Sequence, residues 1–590
     1  MIKKIIRHRK NNLSSELNTE LTAYPEKMQK ILSSRGILAA SDLEYSLKGL
    51  IPPSELLNVE KAANILFQSI KSNHSILVIG DFDADGATSS ALMMKSLAQL
   101  GASKIDFLVP DRFKFGYGLS VKLVEKAAER NPDIIVTVDN GIANHAGVDR
   151  ANQLGIKVII TDHHLAAETL PNAEVIVNPN QPDDSFPSKN LAGVGVAFYL
   201  MLALRAEMRK SNWFDEQNIR EPNLAEQLDL VALGTVADVV MLDKNNRILV
   251  EQGLRRIRQG HCSPGITALL EVAKRTPSKC QSTDLGFAVG PRLNAAGRLD
   301  DMQIGINCLL ANNTADATSL ANRLDGLNKQ RREIEGDMLE QAKQDLEAYF
   351  SSEKAKILVN DEERPTTLCL FDAKWHQGVI GILASRVKDR INRPVIIFAK
   401  DDETSDFIKG SARSVKGVHI RDILALIDSR NPNMIDKFGG HAMAAGLTIK
   451  EKSFKEFAKL FHDYTLQQVN ERLTGGISDN IDTDGGLALN DMSMNFAKQL
   501  KSVGPWGQGF PEPLFDDVFK VISQRVVGEK HLKLVLEKDG EMFDAINFFY
   551  DESIELKEDS KVTAIYKLDI NEFRGNESLQ LMLDQIELIN

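Results

Sequence analysis

Residues 75–90, SILVIGDFDADGATSS, constrain this chain more than any other stretch. Ile76-Leu77-Val78-Ile79 is an apolar run with the length and β-branched content of a buried strand, and it stops at Gly80. Asp81, Asp83 and Asp85 follow at once, and Gly86 then opens a helical run of small and apolar residues as far as Leu100. Strand, acidic turn and helix in that order lay out a ligand crevice at the carboxyl end of a sheet strand. Three carboxylates so close together repel one another unless a cation offsets them, and hard oxygen donors suit Mg2+, Mn2+ or Ca2+. A metal site is expected. Two plainer readings compete with it. The Asp-x-Asp-x-Asp-Gly spacing also opens an EF-hand loop, but the closing Glu would fall on Leu92, and a helix rather than a strand should precede it. An acidic turn without function is the other.

Later segments carry the same signature. Residues 105–109, 134–138, 158–161 and 175–177 are apolar and β-branched, with helical runs such as 120–129 and 143–154 between them. This alternation predicts an α/β, doubly wound parallel sheet between about 60 and 310. The run 134–138 ends in Asp139-Asn140-Gly141, 158–161 ends in Asp162-His163-His164, and 228–240 carries Asp238 in GTVADVV. All carboxyl ends of a parallel sheet share one edge, so these acids and imidazoles can converge there. Taken singly, each has an ordinary explanation. Asp139 suits a turn, the histidines suit a solvated surface, and Asp238 suits a helix cap. Together on one edge they favour a single centre.

Composition bounds the alternatives. A chain of 590 residues has room for roughly three or four domains. With 43% hydrophobic and 26% charged residues it reads as globular rather than disordered. No apolar run is long enough for a bilayer, and the basic N-terminus lacks the apolar stretch of a secretory signal. A cytoplasmic protein without membrane association is expected. The net charge of −11 means that nucleic acid would have to be held by local basic patches. Cys262, Cys280, Cys308 and Cys369 are widely spaced, which favours buried free thiols over a zinc ribbon or disulfides.

The motifs DFDADG (81–86), VDNG (138–141), DHH (162–164) and the Asp of GTVAD (234–238) are similar, in this order, to the four signatures of the DHH phosphoesterase superfamily. PRLNAAGRL (291–299), WHQGVIGILASR (375–386), GSARS (410–414), FGGHAMAAG (438–446) and PWGQGFPEP (505–513) extend the resemblance to its bacterial single-strand exonucleases. The resemblance implies two divalent ions, Mn2+ or Mg2+. Asp83 and Asp139 would hold one, and Asp85, Asp139, His163 and Asp238 the other, with Asp139 bridging. Relatives that split pyrophosphate place a His where this chain has Ile79, and Asp81 is the natural substitute ligand. His164 would face the substrate phosphate, so Asp139 and His164 are the residues assigned to catalysis. Independently, two ions about 3.5–4 Å apart stabilise both oxygens of an in-line displacement. One imidazole among oxygen donors biases such a site from Mg2+ towards Mn2+.

Substrate contacts follow from the same resemblance. Arg112 and Tyr117, in PDRFKFGYG (110–118), are implied at the 5′ end of the DNA. Read from its residues alone, that segment suits stacking and phosphate contact, or an aromatic core beneath a loop. Arg298 is similar to a phosphate-binding arginine of the family, and the resemblance implies Ser411 and Arg413 in a 5′-phosphate pocket and His441 near the scissile strand. Glycines beside such residues let backbone amides approach a phosphate. Two departures from the family pattern are Ala412 in place of Gly, and one Gly fewer in FGGH than in relatives that cleave very short RNAs.

The division expected is an N-terminal helical arm over 1–55, a DHH catalytic domain over 56–311, a long connecting helix over 312–350, a smaller α/β DHH-associated substrate-binding domain over 351–465, and a C-terminal OB-like β-barrel over 466–590. The Pro-free helical segment could instead be a hairpin. The barrel rests on period-two alternation at 532–536, 545–549, 562–568 and 578–586, with Lys530, His531, Lys533, Lys567 and Arg574 as candidate strand contacts. A purely structural barrel is the alternative. The implied function is a single-stranded-DNA-specific 5′-to-3′ exonuclease that releases 5′-mononucleotides in DNA repair and recombination. Its partners would be single-stranded DNA, single-strand-binding protein and a repair helicase. Rival readings are a short-RNA or cyclic-dinucleotide phosphodiesterase with the same metal core, and a non-catalytic single-strand-binding replication scaffold.

Overall fold

A computed structural model describes residues 5–10, 21–111, 115, 118–351, 366–401, 405–472, 480–528, 531–548, 550, 556–573 and 575–589. The first strand, β1 (Ile5–His8), is followed by β2 (Ile76–Gly80), β3 (Ile105–Leu108), β4 (Ile134–Val138), β5 (Lys157–Thr161) and β6 (Val175–Val177). The last five form one sheet in the order β3-β2-β4-β5-β6, and every pair is parallel. Parallel neighbours need crossovers, and the helices Ala84–Gln99, Val121–Ala128 and His145–Gln153 supply them. Alternate residues of β2 enter two cores, Ile76 and Val78 on one side, Leu77 and Ile79 on the other. A strand covered on both faces reads as a continuous apolar run, which is why SILVIG carries no polar alternation. The order of strands reverses at β2, with β3 to one side and β4 to the other, and such switch points are where open α/β sheets bind ligands.

Thr314–Ser351 is one unbroken helix of 38 residues, so the hairpin alternative falls. The chain divides into two compact units, one of residues 1–7 and 329–482 and the other of 8–328 and 483–590. In the first unit, β7 (Leu368–Phe371), β8 (Val395–Lys400), β9 (Phe407–Arg413), β10 (Lys437–Gly440) and β11 (Ala444–Lys450) form a sheet ordered β10-β11-β9-β8-β7. Only β7 and β8 pair in parallel. Met338 and Ala342 of the long helix are buried in the core on one face of this sheet, with Trp375 and Leu383.

β12 (Asn480–Thr483) pairs with β1. A closed barrel then follows, formed by β13 (Phe515–Val527), β14 (His531–Lys538), β15 (Glu541–Phe548), β16 (Lys561–Phe573) and β17 (Asn576–Leu588) in the order β13-β14-β15-β17-β16. Five strands closed in this way are the architecture of an OB-fold. Three expectations need correction. The N-terminal arm is not simply helical, because Ile5–His8 finds a strand partner more than 470 residues away that no local pattern could announce. Helix Phe454–Arg472 runs through the expected boundary at 465/466. The strand β13 escaped the alternation count because acids at 516 and 517 interrupt it and its register with β14 shifts between Val521 and Ser523. All four cysteines are free thiols, and burial pushes Cys280 and Cys308 up to about 12. No helix among the described residues is long and apolar enough to cross a membrane.

Candidate metal centre

Sheet register brings the acids together. Gly80 pairs with Val138, Val138 with Thr161 and Thr161 with Val177, so the next residue on each strand is Asp81, Asp139, Asp162 or Asn178. The helix Ala84–Gln99 starts directly behind Asp81, and Asp83 caps it, its Oδ1 accepting from the amides of Asp85 at 2.9 Å and Gly86 at 3.1 Å. Three overlapping groups result, in each of which the ligand atoms lie within 4.8 Å of one another. They are Asp81, Asp83 and Asp139; Asp85, His163 and Asp238; and Asp139, His163 and His164. His163 Nε2 is 3.2 Å from Asp139, 3.5 Å from Asp238 and 3.9 Å from Asp85. Asp139 thus belongs to both an all-carboxylate group and a histidine-containing one. It holds φ at 63°, a left-handed conformation that is sparsely populated outside glycine and recurs at functional sites.

The electrostatics demand a cation. Burial and then Asp83 push the Asp85 carboxyl up to about 7, although the amides of Val194 and Gly193 pull it down. Burial, followed by Asp85, Asp83, Asp238 and Asp81, drives Asp139 well above the carboxylate range, and Asp238 rises for the same reasons. These acids cannot all ionise side by side in a buried site without a compensating charge. Oxygen donors with one imidazole nitrogen among them, and a carboxylate common to two groups, fit a pair of divalent cations of the Mg2+ or Mn2+ kind. His164 is the opposite case. Burial disfavours its charge, but Asp162, 2.7 Å from Nδ1, outweighs this and raises it to about 9. Asp162 in turn falls to about 2 despite its burial.

Several supporting residues were not singled out from the sequence. Asp85 is held by the start of a helix 108 residues away, Gly193–Lys210, whose Gly193 and Val194 amides donate to its two oxygens at 2.6 and 2.9 Å. A Cβ on Gly193 would lie 2.6 Å from that of Asp139, so only glycine fits there. Asn140 Nδ2 donates to the carbonyls of Ile79 and Val138, tying the ends of β2 and β4. Asn178 and Asn180 donate to the carbonyls of His164 and His163 at 2.9 and 2.6 Å. The cue was Asn178-Pro179-Asn180 immediately after β6, on the same edge as DHH.

Asp238 follows the helix Leu228–Ala237, and the loop beyond it is clamped by the segment that leads to the barrel. Leu242 N donates to Gln508 O at 2.7 Å, and Gly509 sits so close to Met241 that a Cβ would be 2.6 Å from its Cε. Trp506 and Phe510 stack at 4.8 Å, with Arg35 over the first ring and Arg247 over the second. Arg247 also donates to Leu242 O at 2.9 Å.

Of the expected substrate contacts, Arg112 and Tyr117 lie outside the described residues, as do Lys530 and Arg574. Arg298 is in the last turn of helix Gly290–Leu299, which is pressed against the acidic turn. There Asn294 Oδ1 accepts from Ala84 N at 2.8 Å, and a Cβ on Gly297 would collide with Phe82 O. In the other unit, Ser411 and Arg413 share the half-buried face of β9 with Lys409. The Arg413 guanidinium donates to Ser385 Oγ at 3.1 Å, Ser411 Oγ at 3.3 Å and Ala412 O at 2.9 Å, with no acidic partner among the described residues, and burial pulls its pKa down. Gly381, in the first turn of helix Ile380–Ile391, leaves the space in front, since a Cβ there would be 3.0 Å from Ser411 Oγ and 3.1 Å from Arg413 Nη2. His441 is exposed in the turn between β10 and β11.

Residues 75–235 match the model of the DHH family, N-terminal domain, 364–466 the DHHA1 domain, and 483–585 the RecJ OB domain. The parallel sheet with its acidic edge is thus that of a DHH-family phosphoesterase. The single-stranded-DNA-specific exonuclease RecJ of Escherichia coli K12 is 51% identical over 98% of both chains. Crystal structures of RecJ from Thermus thermophilus superpose with TM-scores of 0.76 for the complex with Mn2+ and 0.71 for that with Mg2+. Their identities are 28% and 26%, and they cover 97% of this chain and 78% and 76% of those. This chain belongs to the RecJ family.

Proposed function

We propose that the chain is a single-stranded-DNA-specific exonuclease that hydrolyses phosphodiester bonds from the 5′ end and releases 5′-mononucleotides, using two divalent ions, Mn2+ or Mg2+. The observation that carries the reading is Asp139, common to an all-carboxylate group and a histidine-containing group on one sheet edge. Asp81, Asp83 and Asp139 would hold one ion, and Asp85, Asp139, His163 and Asp238 the other. Such ions, when bound, supply Lewis acidity at the phosphoryl oxygens and a nucleophile near neutral pH. The side chains do the rest. Asp139 would serve both ions, and the Gly193 and Val194 amides fix the direction of Asp85. Asp162 keeps His164 protonated and turned so that its other ring nitrogen donates to a phosphate or leaving oxygen. Arg298 adds positive charge beside the acidic turn.

Polarity rests on the second sheet. A half-buried guanidinium surrounded by hydroxyls and a carbonyl gains most from an incoming dianion, so Ser411 and Arg413 form the 5′-phosphate pocket, with Ser385 as a further hydroxyl. Arg112, Tyr117 and His441 complete the strand contacts. The barrel binds the single strand, which disfavours the short-RNA and cyclic-dinucleotide rival. The full ligand set disfavours a silent scaffold. The enzyme would act in the cytoplasm in DNA repair and recombination, on strands opened by a helicase and coated by single-strand-binding protein. Titrating Mn2+ and Mg2+ against 5′- and 3′-labelled strands, single and double, tests this. Metal-dependent release of the 5′ label as mononucleotide from single strands alone is expected. Release from the 3′ end first, or activity in EDTA, would overturn it.

A further inference from the structure

Phe287 is 79% exposed, more than any other large apolar side chain among the described residues. It stands on Leu285–Val289, the one π-helical stretch among those residues, and such insertions turn side chains off the faces of a regular helix and concentrate at functional sites. Its backbone is anchored on both flanks. A Cβ on Gly286 would be 3.2 Å from Val236 Cγ1, and one on Gly290 would be 3.2 Å from Ala237 Cβ, so the stretch packs on the two residues that precede Asp238. The helix that continues from it, Gly290–Leu299, packs on the acidic turn through Asn294 and Gly297 and carries Arg298. One continuous helical segment therefore packs on the two residues before Asp238 and on the acidic turn, and carries an exposed aromatic ring between these contacts. Beyond Asp238, Val239 and Met241 are also exposed, at 63% and 46%, and Val239 holds φ at 62°, a costly conformation for a β-branched residue.

Apolar side chains exposed on segments that pack against a highly charged centre suit a ligand that is anionic along one edge and flat and apolar along the other. A nucleotide chain is such a ligand, and aromatic rings hold its bases without regard to sequence. We infer that Phe287 is a base-stacking platform for the single strand whose phosphate is cut at the metal centre, an inference that rests on the exonuclease reading. It is a substrate-positioning residue, distinct from the metal ligands and from the 5′-phosphate pocket.

The full-length protein tests this with Phe287→Ala, Phe287→Leu and Phe287→Trp. The readouts are steady-state cutting of single strands, the Mn2+ activation midpoint, and fluorescence of 2-aminopurine stepped along a strand slowed by phosphorothioate linkages. Phe287→Ala should raise KM by about 5- to 100-fold, the range for loss of one stacked base, with kcat and the Mn2+ midpoint within about twofold. Phe287→Trp should restore KM and Phe287→Leu should not. One 2-aminopurine position should be quenched by the wild type and not by Phe287→Ala. An unchanged KM in Phe287→Ala, or rescue by Leu as complete as by Trp, would overturn the inference while the wild type still cuts. Failure of the wild type to cut single strands would overturn the exonuclease reading and this one with it.

Discussion

Two five-stranded sheets in this chain solve opposite electrostatic problems. In β3-β2-β4-β5-β6 the polar residues stand just past the last residue of β2, β4, β5 and β6, where parallel register stacks Asp81, Asp139 and Asp162 in a row. In β10-β11-β9-β8-β7 the residues of interest lie on a strand face, Ser411 and Arg413 alternating with buried Gly410 and Ala412. The first concentrates negative charge that only a cation can relieve. The second holds a half-buried guanidinium with no carboxylate partner among the described residues, an arrangement that suits an anion. One sheet thus gathers carboxylates at its edge, and the other presents a cation on its face.

If the two sites are separate in this way, variants should split cleanly between metal and DNA readouts. Asp139→Ala should lower cutting of labelled single strands by about a thousandfold or more. In EDTA it should melt higher than the wild type, because a buried carboxylate crowded by Asp85, Asp83 and Asp238 has been removed. A variant that keeps wild-type rates would break the comparison. Arg413→Ala should raise KM for 5′-phosphorylated strands by about 10- to 100-fold, as expected for loss of charged hydrogen bonds, and leave the Mn2+ midpoint unmoved. A shift in that midpoint would show that the sites are not independent. Gly193→Ala, which forces a methyl group against Asp139, should weaken Mn2+ binding about tenfold in a calorimetric titration and leave discrimination between 5′-phosphate and 5′-hydroxyl ends intact. Asn180→Ala removes the side-chain hydrogen bonds to His163 O and Lys189 O; loss of the one to His163, worth about 1 kcal/mol, bears on the centre and should weaken Mn2+ binding only about fivefold.

What the sequence disclosed follows the same line. The acidic turn after β2, Asp139 after β4 and the histidines after β5 were legible because each ligand sits one to five residues past an apolar run, and parallel register converts that local offset into proximity. Gly193 and Val194 were not, since they contribute backbone amides, which any residue has, from 108 residues beyond Asp85. Asn178 and Asn180 act on carbonyl groups, so their side chains carry no metal signature. The anion site was read from GSARS by resemblance, but Ser385 and Gly381 lie a turn apart on one helix, in WHQGVIGILASR, where they look like ordinary helix residues. The pairing of Ile5–His8 with Asn480–Thr483 is set by tertiary context alone.

The hydrogen bond between Leu242 N and Gln508 O changes what removal of the barrel would mean. The loop leaving Asp238 leans on the tether of the barrel, so a shortened protein ending before Trp506 loses a brace of the acidic centre and, on the proposed reading, a handhold for substrate as well. Weak digestion by such a fragment would then report a slackened ion cage in addition to poorer capture, and extra Mn2+ should recover part of the loss where extra DNA alone does not.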